Sequence, residues 1–461
     1  MTRRVVPVMA IAAATLACGV VAAYATPGSG PAPSGAVSPK PVSWTPRIAT
    51  SGTDGSVEQI RQLTPCVTSS GTTMYAAGRF TSVAQGSMTY QRSNVMSFDA
   101  GTGAMTAFAP NVNGQVNTIA LSPDCGTAYL GGTFTSINGT TVKNIAAVNV
   151  NTGVVLTTFG SSAAQVNNIQ PVNGHLFVGS YGSVNGSVAA DSYVTSVSPT
   201  TGKDDHYLQL NISGHYDFLG AYSNATRGYN FQVSHHGTKV LVEGDFKLVG
   251  GQPRQQVFML DLGVTATVDG WTSDEFNTNC NPNETFYLQD AAWSADDSSV
   301  YVATTGYKPY GTDPGNLVPR TGLCDAAAAF PAQNTTVVHN WIEYTGCDSY
   351  YSIAADQYSV YVGGHERWAN NPHQCDNNTD GSAVTDAGMA GLNPSTGSAY
   401  TTVPGGLTGY YTRGRGLGAD DMIIIPTGKP GSGLWIASDN AQNTSTCGGV
   451  KNLTGLCHLP Y

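Results

Sequence analysis

A short pattern recurs along the chain, in which a few apolar residues end in small ones. Copies of it read YAAG, YLGG, FVGS, LVEG, YVAT and YVGG. These six and a seventh copy begin near Tyr75, Tyr129, Phe177, Leu241, Tyr301, Tyr361 and Trp435, with an average step of about 60 residues. Short apolar runs bounded by turn residues are typical of buried strands. The pattern therefore predicts a repeating β-unit.

Further strand patterns flank each copy. An apolar strand and a turn precede it, as in NTIALSPDCGTAYLGG, and a third strand follows it, as in NVMSFDAGTG and NIAAVNVNTG. The Asn/Asp-x-x-Thr-Gly ending predicts a tight turn in which Gly supplies a positive φ. A fourth strand comes next, such as AMTAFAP or VVLTTFG. Four short strands with turns between them are typical of a propeller blade, and the chain holds seven such units.

The two ends of the repeat region complement each other. The seventh unit has strands near Leu417–Ile425, Leu434–Ser438 and His458–Tyr461 but no fourth, while an extra strand, Val42–Ile48, precedes the first unit. A strand from the N-terminus that completed the last blade would close the ring and remove an open sheet edge. We therefore predict an all-β fold, a seven-bladed β-propeller over residues 44–461 closed by that strand. An open solenoid or a two-domain β protein is the alternative.

Residues 1–25 have the features of a secretory signal peptide. Arg3 and Arg4 precede the apolar stretch Val5–Val21, and Ala23-Tyr24-Ala25 matches an A-x-A cleavage site. Residues 26–43 are rich in Pro, Gly, Ser and Ala, which predicts a flexible linker. The expected location is therefore secreted and extracellular, with lipid anchoring at Cys18 as the alternative.

Charge and hydropathy argue against two classes of partner. The net charge is −10 and the Lys and Arg residues are not clustered, so we expect no binding to a nucleic-acid backbone. Beyond the N-terminal region no apolar run is long enough to cross a bilayer, so we expect no stable membrane insertion.

The cysteines indicate disulfides. Eight follow the predicted signal peptide, and an even number in an exported protein favours disulfides. The sequence has no CxxC motif of the kind that binds zinc, so no metal or cofactor is predicted. Sorting them by predicted blade face gives the pairs Cys66–Cys125, Cys280–Cys324, Cys347–Cys375 and Cys447–Cys457. Other connectivities stay open, because spacing alone does not fix them.

Several units also resemble a known family. The segments GGTFTSINGTTVKNIAAVNVNTG and AGRFTSVAQGS, and a His-x-Arg-Trp-x-Asn-Asn-Pro motif at residues 365–372, are similar to secreted actinobacterial β-propellers of the delta-60-repeat type, related to Kelch-like blades. The chain departs from them by placing Cys347 and Cys375 around the motif and by lengthening Tyr307–Thr321. The resemblance covers most of residues 55–440 and implies the fold and export, but no activity.

The sixth copy continues into a dense polar and aromatic stretch, HERWANNPH. It supplies His365, Glu366, Arg367, Trp368, Asn370, Asn371 and His373. In a blade this loop lies at the face around the channel mouth, where ligands usually gather. Tyr410, Arg413, Arg415 and Asp420 lead into the next blade on the same face. We predict one ligand-binding surface from these residues. The alternative is structural: Arg367 pairs with a carboxylate, Trp368 fills a groove and Asn-Asn-Pro forms a turn.

These residue types favour recognition over catalysis. Trp offers a stacking face for a sugar ring, and Arg and Asn offer hydrogen bonds to hydroxyls or carboxylates. There is no G-x-S-x-G, H-E-x-x-H or P-loop, so no catalytic residue is assigned. We therefore predict a secreted, non-catalytic recognition module for an extracellular glycan or a secreted or surface protein. A polysaccharide lyase or glycoside hydrolase using the same face, and a structural subunit of a secreted assembly, are the alternatives.

One further pair of residues has two interpretations. His235 and His236 are adjacent, which is compatible with a metal or catalytic pair. However, they occupy a turn position where other units have Pro-Asp or Asp-Asp, and no carboxylate cluster accompanies them in the sequence. We therefore predict that they are exposed turn residues.

Overall fold

The structure, a computed structural model, describes residues 23–24, 30–48, 58–185, 193–216, 226–277, 280, 286–307, 322–375, 378–379, 381–385, 388–401, 418–439, 446–447, 450–451 and 455–461. Within them the regular structure is β, apart from one 3-10 turn at Asp274–Phe276. None of the helical structure in these residues has the length and apolar character needed to span a membrane. The all-β class predicted from the sequence is confirmed.

The strands are short and follow one another closely. The first are β1 (Ala23–Tyr24), β2 (Arg47–Ile48), β3 (Gln59–Val67), β4 (Thr72–Arg79), β5 (Ser82–Gln85), β6 (Met88–Gln91), β7 (Val95–Asp99), β8 (Val116–Leu121), β9 (Thr127–Gly132), β10 (Ser136–Ile137), β11 (Thr140–Thr141) and β12 (Ile145–Asn149). Next come β13 (Val166–Val172), β14 (His175–Ser180), β15 (Val194–Val197), β16 (Ile212–Ser213), β17 (Arg227–Val233), β18 (Lys239–Asp245), β19 (Leu248–Val249), β20 (Gln252–Pro253), β21 (Val257–Leu262), β22 (Ala266–Val268), β23 (Tyr287–Trp293) and β24 (Ser299–Thr305). The last are β25 (Ala326–Pro331), β26 (Trp341–Tyr344), β27 (Tyr350–Ala355), β28 (Val360–Gly364), β29 (Trp368–Ala369), β30 (Val384–Thr385), β31 (Met389–Leu392), β32 (Ala419–Ile425), β33 (Gly433–Ser438), β34 (Thr446–Cys447), β35 (Val450–Lys451) and β36 (Leu456–Pro460).

The longer strands form antiparallel sheets in chain order. The sheets are β3-β4-β7, β8-β9-β12, β13-β14-β15, β17-β18-β21-β22, β23-β24-β25-β26, β27-β28-β31 and β32-β33-β36. The strand β1 pairs in parallel with β26, and the shorter strands form small sheets of two or three strands in the loops. Each long sheet is therefore a local meander, in which each strand pairs with the next strand of the same sheet, and short loop strands lie between some of them.

Each long sheet buries apolar side chains against its neighbours. The ring centroids of Tyr129 and Phe159 lie 5.7 Å apart between the second and third sheets, for example. The first sheet also packs on the last, where the ring of Phe98 lies 5.5 Å from that of Trp435. Fully burying one such side chain contributes about 1.5–3 kcal/mol. Meanders that pack face to face in chain order are the arrangement of a β-propeller, as the repeat predicts.

The N-terminal segment lies along the last sheet. The Val42 N–H donates to the carbonyl oxygen of His458 in β36 at 3.0 Å, and the Trp44 ring lies 6.1 Å from that of Trp435. The region predicted as one strand, Val42–Ile48, is thus a regular strand only in part. Its first part follows β36 without forming a regular strand, and only β2 is one, pairing with β5.

Part of the stretch predicted as a flexible linker is hydrogen-bonded to the last two sheets. Val37 is 3% exposed, and its N–H donates to the Tyr361 hydroxyl at 3.2 Å. The Ser38 N–H donates to the carbonyl oxygen of Pro460 at 2.6 Å. Composition favours a linker because the segment has little apolar mass, but this one valine reaches a buried cluster shared by the last two sheets.

The structure has disulfides at Cys66–Cys125, Cys280–Cys324, Cys347–Cys375 and Cys447–Cys457. These are the pairs that the sequence predicts. Disulfides persist in oxidising compartments, so four of them fit an extracellular location.

Candidate ligand-binding site

A cavity of about 1,260 Å³ is lined mainly by the first strand of each long sheet, and we call it the channel. Amide and carboxylate side chains are prominent in its wall. They include Gln59, Gln62, Gln115, Asn117, Gln165, Asn167, Asn168, Asn230, Gln232, Gln289, Asp290, Asp420 and Asp421. Such a wall offers many directional hydrogen-bonding groups to a polar ligand.

A matching irregularity in each first strand explains this wall. The pairing register shifts between Ile60 and Gln62, Val116 and Thr118, Val166 and Asn168, Gly228 and Asn230, Leu288 and Asp290, Tyr350 and Ser352, and Ala419 and Asp421. A bulge of this kind bends the strand and redirects its side chains. The bulged residues that line the channel are Arg61, Asn117, Asn167, Gln289, Tyr351 and Asp420.

The residue after each bulge bonds to the next sheet. Gln62 Oε1 accepts a hydrogen bond from the Ile119 N–H at 2.7 Å. Thr118 Oγ1 accepts one from the Ile169 N–H at 3.0 Å. These two side chains therefore connect the first sheet to the second and the second to the third.

The same connection continues through the middle of the chain. Asn168 Nδ2 donates to Asn230 Oδ1 at 2.6 Å, and Asn230 Nδ2 donates to Asp290 Oδ1 at 2.7 Å. Asp290 Oδ2 accepts from the Ile353 N–H at 2.9 Å. The third, fourth, fifth and sixth sheets are thus linked in order.

The last two links involve the final sheet. Ser352 Oγ donates to the carbonyl oxygen of Ala419 at 3.0 Å. Asp421 Oδ2 accepts from the Leu63 N–H at 2.7 Å, which returns to the first sheet. Side chains at one repeated position therefore hydrogen-bond each first strand to its neighbour.

Burial in the channel wall raises the pKa values of three of its carboxyl groups. It raises the pKa of Asp290 to about 8, and the charge of Asp421 adds to that shift. It raises the pKa of Asp420 to about 8, although Arg61 opposes the change, and that of Asp421 to about 6. The wall therefore carries less negative charge near neutral pH than its carboxyl groups suggest, which favours an uncharged polar ligand over a strongly charged one.

Aromatic side chains meet at one end of the channel. Tyr287 and Tyr351 lie at the starts of β23 and β27, and Tyr181 and Tyr307 lie just beyond the ends of β14 and β24. Because first and second strands are antiparallel, the start of one and the end of the other share one end of the channel. We call this end the mouth, and its residues are Tyr181, Arg227, Tyr287, Tyr307, Tyr351 and His365.

Two contacts order the side chains of the mouth. The Arg227 guanidinium lies 4.4 Å from the centroid of the Tyr181 ring, and its Nη1 donates to the Tyr181 hydroxyl at 3.0 Å. The Tyr351 hydroxyl lies 2.8 Å from His365 Nδ1, with the two rings edge to face at 5.1 Å. Burial, with a smaller effect from Arg367, lowers the pKa of His365 to about 4. His365 is therefore a neutral imidazole at pH 7, able to give or accept one hydrogen bond.

The structure places the other predicted site residues in several environments. Glu366, Asn370 and Asn371 are buried at 0%, 2% and 0% exposure. The Asn370 N–H donates to Glu343 Oε1 at 2.7 Å, and Asn371 Nδ2 donates to the carbonyl oxygen of Asn378 at 3.0 Å. The Asn370 backbone and the Asn371 side chain therefore hold the loop in place, with Glu366 buried beside them.

The remaining predicted residues are also accounted for. Arg367 Nη2 donates to Asp348 Oδ1 at 3.0 Å, so the guanidinium forms an ion pair with a carboxylate 19 residues earlier in the chain. Trp368, in β29, and His373 are half-buried and outside the channel lining, whereas Asp420 lines the channel beside Gln59. Tyr410, Arg413 and Arg415 lie outside the described residues. Of the predicted surface, His365 and Asp420 both line the channel.

Sequence reasoning missed the ring of polar residues in the first strands. A usable signal was present, because the strand that precedes each small-residue strand opens with polar residues before its apolar run, as in QIRQL, QVNTI, QVNNI and YYSIA. The bulge positions that aim those residues at the channel are not visible in one strand alone. The loop motif is distinctive in the sequence because the other copies lack it, and the structure buries Glu366, Asn370 and Asn371.

No protein-family model matches this sequence, and comparison with curated proteins gives no match. Among solved structures, the chain is similar to U3-55K at 11% identity and a TM-score of 0.46, covering 92% of this chain and all of that one. It is also similar to the WD40 β-propeller domain of Doa1 at 11% identity and a TM-score of 0.38, covering 90% of this chain and 96% of that one.

Proposed function

We propose that this chain is a secreted recognition module that binds an extracellular glycan at the mouth of its channel. The observation that carries the proposal is the group of four tyrosines, Arg227 and neutral His365 around an amide-rich opening. Sugar rings present apolar faces that stack on aromatic rings, and hydroxyls that bond to amides, guanidinium and imidazole. A neutral or weakly charged glycan fits the wall best, because burial raises the pKa of Asp290 and of Asp420 and leaves these two carboxyl groups largely uncharged near pH 7.

We further propose that the scaffold is a closed propeller of seven blades, with the N-terminal segment completing the last one. The hydrogen bonds that lead from each first strand to the next, and from Asp421 back to Leu63, support closure. So does the run of residues 38–45 along β36. A closed ring has no open edge between its first and last sheets and holds the mouth rigid.

Secretion is part of the same proposal. The N-terminal features of a signal peptide and the four disulfides support it. The Cys347–Cys375 bridge bears on the site itself, because Cys347 lines the channel next to Asp348 and Ser349. This disulfide would restrain the backbone beside the mouth, and it would persist in an oxidising medium.

A glycan array tests the proposal. We expect the mature chain to bind a set of neutral or weakly charged glycans, and the double variant Tyr351→Ala/His365→Ala to lose that binding. The control is Tyr90→Ala, because Tyr90 lies in β6, outside the channel lining. Absence of glycan binding by the wild type, or equal binding by the double variant, would refute a glycan site at the mouth.

A polysaccharide-active enzyme is the second candidate, and the Tyr351–His365 contact is the observation that favours it. A neutral imidazole that hydrogen-bonds to a tyrosine hydroxyl can exchange a proton with it, as a lyase reaction requires, although the lowered pKa makes His365 a weak base. Incubation with polysaccharides, followed by assays for reducing ends and unsaturated uronates, separates the two. Turnover that His365→Ala abolishes would favour catalysis.

A further inference from the structure

At the other end of the channel, the adjacent histidines of the β17–β18 turn meet a carboxylate from the next sheet. His235 Nδ1 lies 2.8 Å from Asp297 Oδ1, and His236 Nδ1 lies 2.6 Å from Asp297 Oδ2. Asp297 belongs to the turn between β23 and β24, some 61 residues further along the chain. The carboxylate that the sequence does not show beside these histidines is therefore supplied by the fold.

Asp297 is held firmly in this position. Its two oxygens also accept the backbone N–H groups of His235 at 2.8 Å and His236 at 2.9 Å. Each Asp297 oxygen therefore already accepts a backbone N–H, and the carboxylate serves as an acceptor towards both rings.

An acceptor-only partner decides which ring nitrogen carries the proton. Each Nδ1 must donate to Asp297, and a neutral imidazole with its proton on Nδ1 has a lone pair on Nε2. The side chains of His235 and His236 are 51% and 70% exposed, and no described residue hydrogen-bonds to either Nε2. Each of the two exposed rings, when neutral, therefore has an Nε2 lone pair that Asp297 does not occupy.

This arrangement matches the way proteins prepare histidine for a metal. A ligating histidine usually donates its second ring N–H to a carboxylate or carbonyl, which fixes the tautomer and makes the ligating nitrogen more basic. Imidazole suits zinc, copper and nickel rather than magnesium or calcium. In the described part of the chain no cluster of three or more His, Cys, Asp or Glu is arranged to hold a metal, so water would fill the other positions.

We infer that His235 and His236 chelate one divalent transition-metal ion through their Nε2 atoms, with Asp297 as the positioning residue. The site lies at the end of the channel opposite the mouth and is independent of the proposed glycan site. A surface ion with open positions could in turn accept a carboxylate or imidazole from another molecule.

Calorimetric titration of the tag-free mature chain with Zn²⁺ and with Ni²⁺ tests this inference. We expect one ion per chain, and a loss of affinity of at least tenfold in each of His235→Ala and His236→Ala. The matched control is His206→Ala, because His206 is an exposed imidazole near a single carboxylate, with its Nδ1 3.4 Å from Asp204 Oδ1. Circular dichroism confirms that each variant is folded.

Three outcomes would overturn the inference. One is a wild type that binds neither ion. Another is a single variant that keeps the wild-type affinity, since chelation needs both rings. The third is an equal loss in His206→Ala, which would mean that any exposed histidine binds as well. None of these results bears on glycan binding, so the two proposals fail separately.

Discussion

The Leu63 N–H donates to a carboxylate oxygen of Asp421 at 2.7 Å, between residues 358 positions apart. Leu63 lies in β3, the first strand of the first sheet, and Asp421 lies in β32, the first strand of the last sheet. A second bond lies beside it, since Gln59 Nε2 donates to Asp420 Oδ2 at 2.6 Å. These two bonds connect the first sheet to the last at the channel wall.

Removing this link should destabilise the fold. Asp421→Ala leaves the Leu63 N–H without its acceptor in a position where Leu63 is 3% exposed. An unsatisfied buried donor costs about 1–3 kcal/mol, and we expect the free energy of unfolding in urea to fall by that amount. Asp421→Asn keeps an acceptor oxygen and should lose clearly less. Equal stability of Asp421→Ala and the wild type would show that the bond contributes nothing.

The buried carboxyl of Asp290 should make stability depend on pH. Burial raises its pKa from 3.8 to about 8 in the folded chain, so the folded state retains a proton that the unfolded state releases. The stabilising contribution is present below about pH 4 and is lost as the pH rises towards about 8. We expect the urea midpoint to be lower at about pH 9 than at about pH 5, and the decrease to be smaller in Asp290→Asn. A variant with the full wild-type decrease would assign the effect to other groups.

Asn370 should stabilise the fold through its backbone conformation as well as through its side chain. Its φ is 53°, in the left-handed region, and its Oδ1 accepts from the Ala399 N–H at 3.2 Å. Asn370→Ala strains the backbone and removes the acceptor, so we expect a loss of about 2–4 kcal/mol in the free energy of unfolding. Asn370→Gly removes the acceptor without the strain and should recover about 1 kcal/mol. If the two variants are equally stable, backbone conformation is not the reason for asparagine here.

The sequence predicted the features that depend on local pattern. The small-residue strands, the Thr-Gly turns and the cysteine pairs follow from spacing within or between adjacent units, and Cys66–Cys125 illustrates this. It did not predict features that depend on distant partners. The sequence left open whether Arg367 binds a ligand or pairs with a carboxylate, and it did not identify Asp348 as that carboxylate or Asp297 as the partner of His235. The channel wall depends on bulges in every first strand, which one strand cannot reveal.

The disulfides should differ in their contribution according to loop length. Cys66–Cys125 closes a separation of 59 residues, and Cys447–Cys457 one of 10. In the chain-entropy description the longer loop contributes about 4 kcal/mol and the shorter about 3 kcal/mol. We expect Cys66→Ser/Cys125→Ser to lower the free energy of unfolding more than Cys447→Ser/Cys457→Ser. The reverse order would indicate that native packing, not chain entropy, decides the difference.

The dissociation constant of a bound glycan, measured for two aromatic variants, tests the proposed mouth most directly. Tyr351 lines the channel and contacts His365, whereas Trp368 is half-buried in β29 outside the channel lining. Loss of a stacking and hydrogen-bonding tyrosine is worth about 1–2 kcal/mol, close to a tenfold change in affinity. We predict that Tyr351→Ala raises the dissociation constant about tenfold and that Trp368→Ala leaves it nearly unchanged. A tenfold loss in Trp368→Ala with none in Tyr351→Ala would place the ligand on the loop surface and contradict recognition at the channel mouth.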